Sequence, residues 1–80
     1  MEITLAEGRV YGARYYTVQP GPFWDITGTM WDSMMKWSID TFGVGPADGV
    51  WTPNARWYAN NAKFWFRNES DRALFLLRWQ

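Results

Sequence analysis

The sequence contains neither cysteine nor histidine. Without cysteine, the chain can form no disulfide framework and offers no thiol nucleophile. Without histidine, it lacks the commonest metal ligand and the commonest general base, so its serine hydroxyls have no imidazole to activate them. Asp25, Asp32 and Asp40 are spread along the chain instead of being clustered as an oxygen cage for a metal requires. We therefore expect a protein that is not an enzyme and that needs no metal and no cofactor.

Long hydrophobic runs are also absent. The longest apolar stretches are far shorter than the roughly 20 residues that span a bilayer. Residues 1–7 lack the basic start and the apolar core of a signal peptide. A chain of 80 residues has room for one hydrophobic core. We expect a single domain over residues 1–80, located in the cytoplasm and making no contact with a membrane.

Aromatic residues, in contrast, are abundant: seven Trp, five Phe and four Tyr. Each buries roughly 150–250 Å² in a core, so a domain of this size cannot enclose them all. Some should lie at the surface or in an interface, where Trp and Tyr are favoured. The net charge is zero, but residues 25–49 carry −3 and residues 50–80 carry +3. This separation predicts one acidic and one basic side.

Apolar spacing predicts one strand over residues 9–18 and a helix over residues 27–42. Thr29 with Asp32 resembles a capping box, although Asp25 or Thr27 are alternative caps. Gly43 is the expected residue after the helix end, and residues 43–54 form a long loop. The buried stripe of the helix should consist of Met30, Trp31, Met34, Met35, Ser38 and Phe42.

The last part of the chain allows two interpretations. Residues 68–71 have the composition of a helix cap, which predicts a short helix ending near Trp79. Residues 74–79 are alternatively a closing strand. The expected inner face of the helix comprises Ala73, Leu74, Leu76 and Leu77. The order is then β-α-β-β-α, which predicts an α+β fold: a small antiparallel sheet with both helices on one face, similar to a truncated ferredoxin-like arrangement.

Residues 56–67 have the pattern of a tight β-hairpin. Two aromatic runs flank Asn60-Asn61, and asparagine tolerates the positive φ that a two-residue turn needs. Directly opposed residues of a hairpin share a face. A turn at these two residues pairs Ala59 with Ala62, Tyr58 with Lys63, Trp57 with Phe64, and Arg56 with Trp65.

The two faces of this hairpin differ in chemistry. One face is apolar and should join the core: Trp57, Ala59, Ala62, Phe64 and Phe66. The other combines aromatic rings with cations: Arg56, Tyr58, Lys63, Trp65 and Arg67. Trp, Tyr and Arg are the usual hot-spot residues of protein interfaces. We predict that these five residues, together with Trp51 of the preceding loop, bind a partner.

Three alternatives to binding a different protein remain open for this face. It can cover itself through cation–π pairs, with Arg56 over Trp65 and Lys63 over Tyr58. It can bind single-stranded nucleic acid, with bases stacked on Tyr58 and Trp65, although a net charge of zero argues against a phosphate-driven binder. It can also bind a second copy of the chain, which would make the protein a homo-oligomer.

The spacing of aromatic residues in residues 31–79 resembles that of small uncharacterised proteins encoded by tailed bacteriophages. The matching residues are Trp31, Met34, Met35, Trp37, Phe42, Gly43, residues 56–61, residues 64–67, Asp71 and residues 74–79. The resemblance implies a phage accessory protein that binds a host protein, or a self-associating virion or assembly component. It implies no catalytic activity.

Overall fold

The computed structural model describes residues 3–10, 12–21, 28–43, 55–60 and 62–79. Its four strands form one antiparallel sheet in the order β1-β2-β4-β3. The elements are β1 (Thr4–Val10), β2 (Ala13–Gln19), α1 (Gly28–Phe42), β3 (Trp57–Asn60), β4 (Lys63–Phe66) and α2 (Glu69–Trp79). The predicted α+β class, a small antiparallel sheet with two helices, is confirmed.

The first part of the chain forms a hairpin instead of the single strand predicted over residues 9–18. Two seven-residue strands pair along their whole length, from Thr4 opposite Gln19 to Val10 opposite Ala13. Gly12 has a φ of 79°, in the region that glycine adopts without steric cost. It therefore belongs to a turn between two strands, and the order of elements becomes β-β-α-β-β-α.

The sheet contains a split β-α-β unit. Strands β2 and β3 both pair antiparallel with β4, so they run parallel to each other on either side of it. Helix α1 connects them, which is the crossover of a ferredoxin-like arrangement. Strand β1 occupies the free side of β2. A complete ferredoxin-like fold places its last strand in this outer position, and the truncated version predicted from the sequence lacks it. Here β1, which precedes β2 in the chain, occupies that position.

Helix α1 buries the predicted stripe. Met34, Ser38 and Phe42 are buried, and Met30, Trp31 and Met35 are partly buried against the core. The helix begins at Gly28, so Thr29 lies inside its first turn and the predicted capping box is wrong. The alternative caps Asp25 and Thr27 lie outside the described residues. Gly43 has a φ of 97° and its N–H donates to the carbonyl of Ile39 at 2.9 Å, as expected after a helix end.

Residues 69–79 form helix α2, so the strand alternative for residues 74–79 is not adopted. The carbonyl of Asn68 accepts hydrogen bonds from the N–H groups of Asp71 and Arg72, at 3.1 and 3.3 Å. The predicted inner face is wrong, however, because Phe75 is 1 % exposed while Leu77 is 81 % exposed. Ala73 and Leu74 are exposed as well, and Leu76 is only partly buried. Residues 73–77 are apolar all round, so periodicity could not select the buried side.

The core lies between one face of the sheet and both helices. The ring centroid of Phe64 is 4.6 Å from that of Trp31 in α1 and 4.9 Å from that of Phe75 in α2. Phe66 lies 5.5 Å from Phe42 and 5.4 Å from Phe75. The prediction that both helices cover the same face is confirmed, and the opposite face carries no described helix.

Tyr15 fixes the start of β3 to the sheet. Its hydroxyl donates to the carbonyl of Ala55 at 2.7 Å, and the residue is 1 % exposed. Burial raises the pKa of the Tyr15 phenol above its ordinary value of 10.0, and the positive charge of Arg67 offsets part of that rise. The folded protein therefore holds the phenolic proton more tightly than the unfolded chain does.

Replacing Phe75 with alanine should lower the free energy of unfolding by about 3–5 kcal/mol, because the surrounding rings cannot close the cavity. Leu77→Ala in the same helix is the matched control. Its cost should stay within about 0.5 kcal/mol, since that side chain is exposed. Urea denaturation followed by tryptophan fluorescence measures both values. A neutral Phe75→Ala with a costly Leu77→Ala would restore the inner face that the sequence predicts.

Tyr15 should make the protein sensitive to alkali. The stabilisation from its raised pKa is complete below about pH 10, the pKa of an unfolded tyrosine, and is lost as the pH rises through the folded value. Tyr15→Phe should cost about 0.5–1.5 kcal/mol at neutral pH through the lost hydrogen bond, and its stability should then fall less steeply above pH 10. Urea unfolding at a series of pH values compares the two slopes, and parallel slopes would contradict this role of Tyr15.

Candidate functional site

The β3–β4 hairpin turns one residue later than the sequence predicts. Asn60 pairs with Lys63, Tyr58 with Trp65, and Trp57 with Phe66. Ala62 adopts a positive φ of 63° in the connection, an uncommon conformation for a residue with a side chain. The predicted pairs Ala59–Ala62, Tyr58–Lys63, Trp57–Phe64 and Arg56–Trp65 are therefore wrong.

This shift nevertheless leaves the strand residues on their predicted faces, except that Ala62 lies in the turn and is only partly buried. Each strand residue moves by two positions relative to its predicted partner, and side chains alternate with a period of two. Trp57, Ala59, Phe64 and Phe66 therefore lie on the helix side, where all four are buried. The opposite pairing places Tyr58 and Trp65 together on the other side of the sheet.

Trp65 lies across the sheet on the face that the helices leave uncovered. Its Nε1 donates to Oδ1 of Asn60 in β3 at 2.9 Å. Its six-membered ring reaches in the other direction to Gly8 of β1, where a Cβ would lie only 3.2 Å from Cζ3 of the indole. The lack of a side chain at Gly8 therefore lets the ring extend over the intervening β2. Trp65 is restrained by its hydrogen bond to Asn60 and remains partly exposed.

Two cations flank this ring system. Nζ of Lys63 lies 5.8 Å from the centroid of Trp65, and the guanidinium of Arg67 lies 6.0 Å from the centroid of Tyr15. Arg67 also donates to the carbonyl of Arg14 at 3.3 Å. Contacts of this kind contribute about 0.5–1 kcal/mol at exposed sites. The face is thus partly covered by its own cations, although the pairs differ from the expected ones.

Arg56 does not join this face. Its Nε lies 2.9 Å from Oδ2 of Asp71 and its Nη2 lies 3.3 Å from Oδ1, a two-pronged ion pair with the first turn of α2. Its guanidinium lies 5.3 Å from the ring centroid of Phe42 on the helix side. The hydrogen bond to Asp71 raises the pKa of Arg56 further above its ordinary range. Since Arg56 precedes β3, strand alternation does not fix its direction, and its placement beside Trp65 is wrong.

Tyr58 faces the same side as Trp65 but is 1 % exposed. Its ring therefore offers no surface on which a ligand could stack. Trp51, the remaining member of the predicted site, lies outside the described residues. Of the predicted set, the structure brings Lys63, Trp65 and Arg67 together at an accessible surface.

We define the Trp65 surface as the accessible part of this face: Ala6, Gly8, Asn60, Lys63, Trp65 and Arg67. Ala6 belongs to it because Thr17 of β2 pairs with both Ala6 and Trp65. Within the described residues, no carboxylate lies on this face. Sequence reasoning missed Gly8 and Asn60. The glycine within a strand was an available signal, since such glycines often mark a close approach.

The arrangement suits binding better than bond-making chemistry. The described residues of this face present one partly exposed aromatic ring with two cations and an amide around it. Within the residues that the structure describes, no group of three or more acidic side chains could hold a metal ion. No helix among the described residues has the length and the apolar character needed to cross a membrane.

Comparison with known proteins gives no match to any family model, to any curated protein or to any solved structure.

Proposed function

We propose that this domain acts without catalysis, as a small phage-type accessory protein that binds a host protein through the Trp65 surface. The observation that carries the proposal is the state of Trp65 itself. The indole donates a hydrogen bond to Asn60 and extends toward Gly8, yet it remains partly exposed. A ring fixed in this way is available for contact without further ordering.

A protein partner fits this surface for energetic reasons. Trp and Arg dominate the hot spots of protein interfaces, where a few central residues provide most of the binding energy. Binding also costs free energy whenever a side chain must be immobilised. Trp65 has already lost that freedom in the folded domain, so little of its contact energy is offset. Asn60, Lys63 and Arg67 surround it with the polar rim that typical interfaces have.

The charges indicate the chemistry of the partner. Lys63 and Arg67 carry positive charge, and no carboxylate of the described residues shares their face. Complementary potentials accelerate association and exclude wrong partners. The partner surface is therefore an apolar recess for the indole, bordered by aspartate or glutamate side chains.

The identification of that partner as a host protein depends on a different observation. The aromatic spacing of residues 31–79 resembles that of small proteins of tailed bacteriophages, and such proteins bind and redirect proteins of the bacterial cell. This resemblance supports the phage origin and the host partner. The Trp65 surface supports only a protein partner with an acidic border.

Single-stranded nucleic acid is the second candidate ligand, favoured by the partly exposed ring of Trp65 on the same face as Lys63 and Arg67. A base could stack on the indole while the cations meet phosphates. Two observations reduce this candidate's weight. Tyr15 and Tyr58 are each 1 % exposed, so among the described residues of this face one accessible ring is left, where single-strand binders use several. The net charge of zero also provides no general attraction for a polyanion.

Trp65→Ala should weaken binding of the captured host protein by at least about 30-fold, equivalent to about 2 kcal/mol for a hot-spot residue. The partner is captured from nuclease-treated bacterial lysate with the wild-type domain and identified. Its affinity for each purified variant is then measured by calorimetry. Leu77→Ala, which truncates an exposed side chain of α2, should bind like the wild type.

Equal affinity of the wild type and Trp65→Ala would remove the Trp65 surface from the site. Recovery of the bait alone, with self-association in sedimentation, would instead identify a second copy of this chain as the occupant.

The nucleic-acid candidate makes a separate prediction. If phosphate contacts by Lys63 and Arg67 drive binding, the affinity for a single-stranded oligonucleotide should fall steeply as the salt concentration rises. Lys63→Gln should reduce both the affinity and the slope of this dependence. Quenching of tryptophan fluorescence during a titration measures the affinity at each salt concentration. A titration that is insensitive to salt would reject this candidate.

A further inference from the structure

Two arginines face each other near the turn of the β1–β2 hairpin. Arg9 and Arg14 are directly opposed in the register, and both are exposed. They lie on the helix side of the sheet, because Tyr16 and Val18 continue the same face of β2 toward the core. Like charges placed directly opposite each other destabilise an antiparallel pair. Because the pair does not stabilise the hairpin, it is a candidate for a role in ligand binding.

Neither arginine is neutralised by an acidic side chain of the described residues. The ion pairs there join Arg56 with Asp71 and Arg72 with Glu69. Among the described residues, the side chain of Arg9 makes only a long contact of 3.5 Å to the carbonyl of Gly12. Both guanidinium groups therefore keep most of their hydrogen-bonding capacity for a ligand.

The two arginines border a cleft of about 200 Å³ that Glu7 and Gly8 complete. Glu7 is next to Arg9 on the same face of β1, since strand side chains alternate. Beyond the cleft, the guanidinium of Arg72 lies 5.2 Å from the ring centroid of Tyr16, the partner of Glu7, and it is paired with Glu69. The cleft thus combines two opposed guanidinium groups with one carboxylate.

We propose that this cleft binds a sugar phosphate through its phosphate group. Guanidinium groups match phosphate oxygens with pairs of parallel hydrogen bonds, and a dianion between Arg9 and Arg14 would cancel their repulsion. Glu7 disfavours any anion but accepts a hydrogen bond from a hydroxyl group. A ligand that carries a phosphate beside a hydroxyl uses all three side chains. The cleft is largely open to solvent, so a sugar joined to the bound phosphate can extend out of it.

This site is independent of the proposed protein partner. Glu7, Arg9 and Arg14 lie on the helix side of the sheet, whereas the Trp65 surface lies on the opposite side. The two share only Gly8, which faces Trp65 with its missing side chain and borders the cleft with its backbone. A variant that loses one of the two binding activities can therefore still be tested for the other.

The test is an NMR titration of the labelled domain with inorganic phosphate and with ribose 5-phosphate, at constant ionic strength. Both probes should shift the Nε–H signals of Arg9 and Arg14 until saturation, and ribose 5-phosphate should bind more tightly. Equal affinity for the two probes would overturn the sugar contact at Glu7. Equal shifts with chloride or acetate would show general screening only and overturn the site.

Variants that remove single charges distinguish binding in the cleft from a general effect of the protein's overall charge. Arg9→Gln and Arg14→Gln should each weaken binding of ribose 5-phosphate about tenfold, as expected for the loss of charge-assisted hydrogen bonds. Glu7→Gln should tighten binding of inorganic phosphate, because it removes a negative charge. Arg78→Gln is the matched control, since its guanidinium lies over Trp79 at 4.2 Å, outside the cleft. An equal loss in Arg78→Gln and Arg14→Gln would contradict the proposal.

Discussion

Phe75 is the contact on which the rest of the structure depends. Its ring lies 4.9 Å from Phe64 and 5.4 Å from Phe66 in the sheet, and 5.9 Å from Trp37 in α1. One side chain therefore joins α2, α1 and the central strand β4. Tilted and edge-on ring pairs contribute about 0.5–1.5 kcal/mol beyond the burial of their area. Because this contact draws both helices to one side, the opposite side of the sheet is left for Trp65.

The position of each helix also decides which cations are neutralised. The first turn of α2 carries Asp71 and Glu69, and these carboxylates pair with Arg56 and Arg72. A carboxylate is favoured at a helix N-terminus, so the same groups stabilise the helix and bind the arginines. The cations at the turn of the first hairpin and on the Trp65 surface lie beyond their reach. A chain with no net charge thereby presents positive charge on both sides of its sheet.

The local pattern predicted most of the elements and the two faces of the second hairpin. The faces were predicted correctly although the turn was not, because a shift of the pairing by two positions leaves Trp57, Phe64 and Trp65 on the same faces of the sheet. The first hairpin was harder to predict from the sequence. Strand β1 is an edge strand, exposed along most of its length, and it lacks the apolar alternation that marks a half-buried strand. The sequence therefore predicts one strand over residues 9–18, where the structure has two strands joined by a turn at Gly12.

The sequence by itself determined the class of the fold, the buried stripe of α1 and the absence of histidine and cysteine chemistry, because composition and local period are properties of neighbouring residues. Tertiary structure decided which side of α2 is buried, since residues 73–77 are apolar on every side and only the rings of β4 select Phe75. It also decided which residues lie together in the candidate site. Arg56 turns to Asp71, Tyr58 becomes buried, and Gly8 makes room for Trp65, each through a partner that lies far away in the chain. Long-range packing sets these positions, and no local period records it.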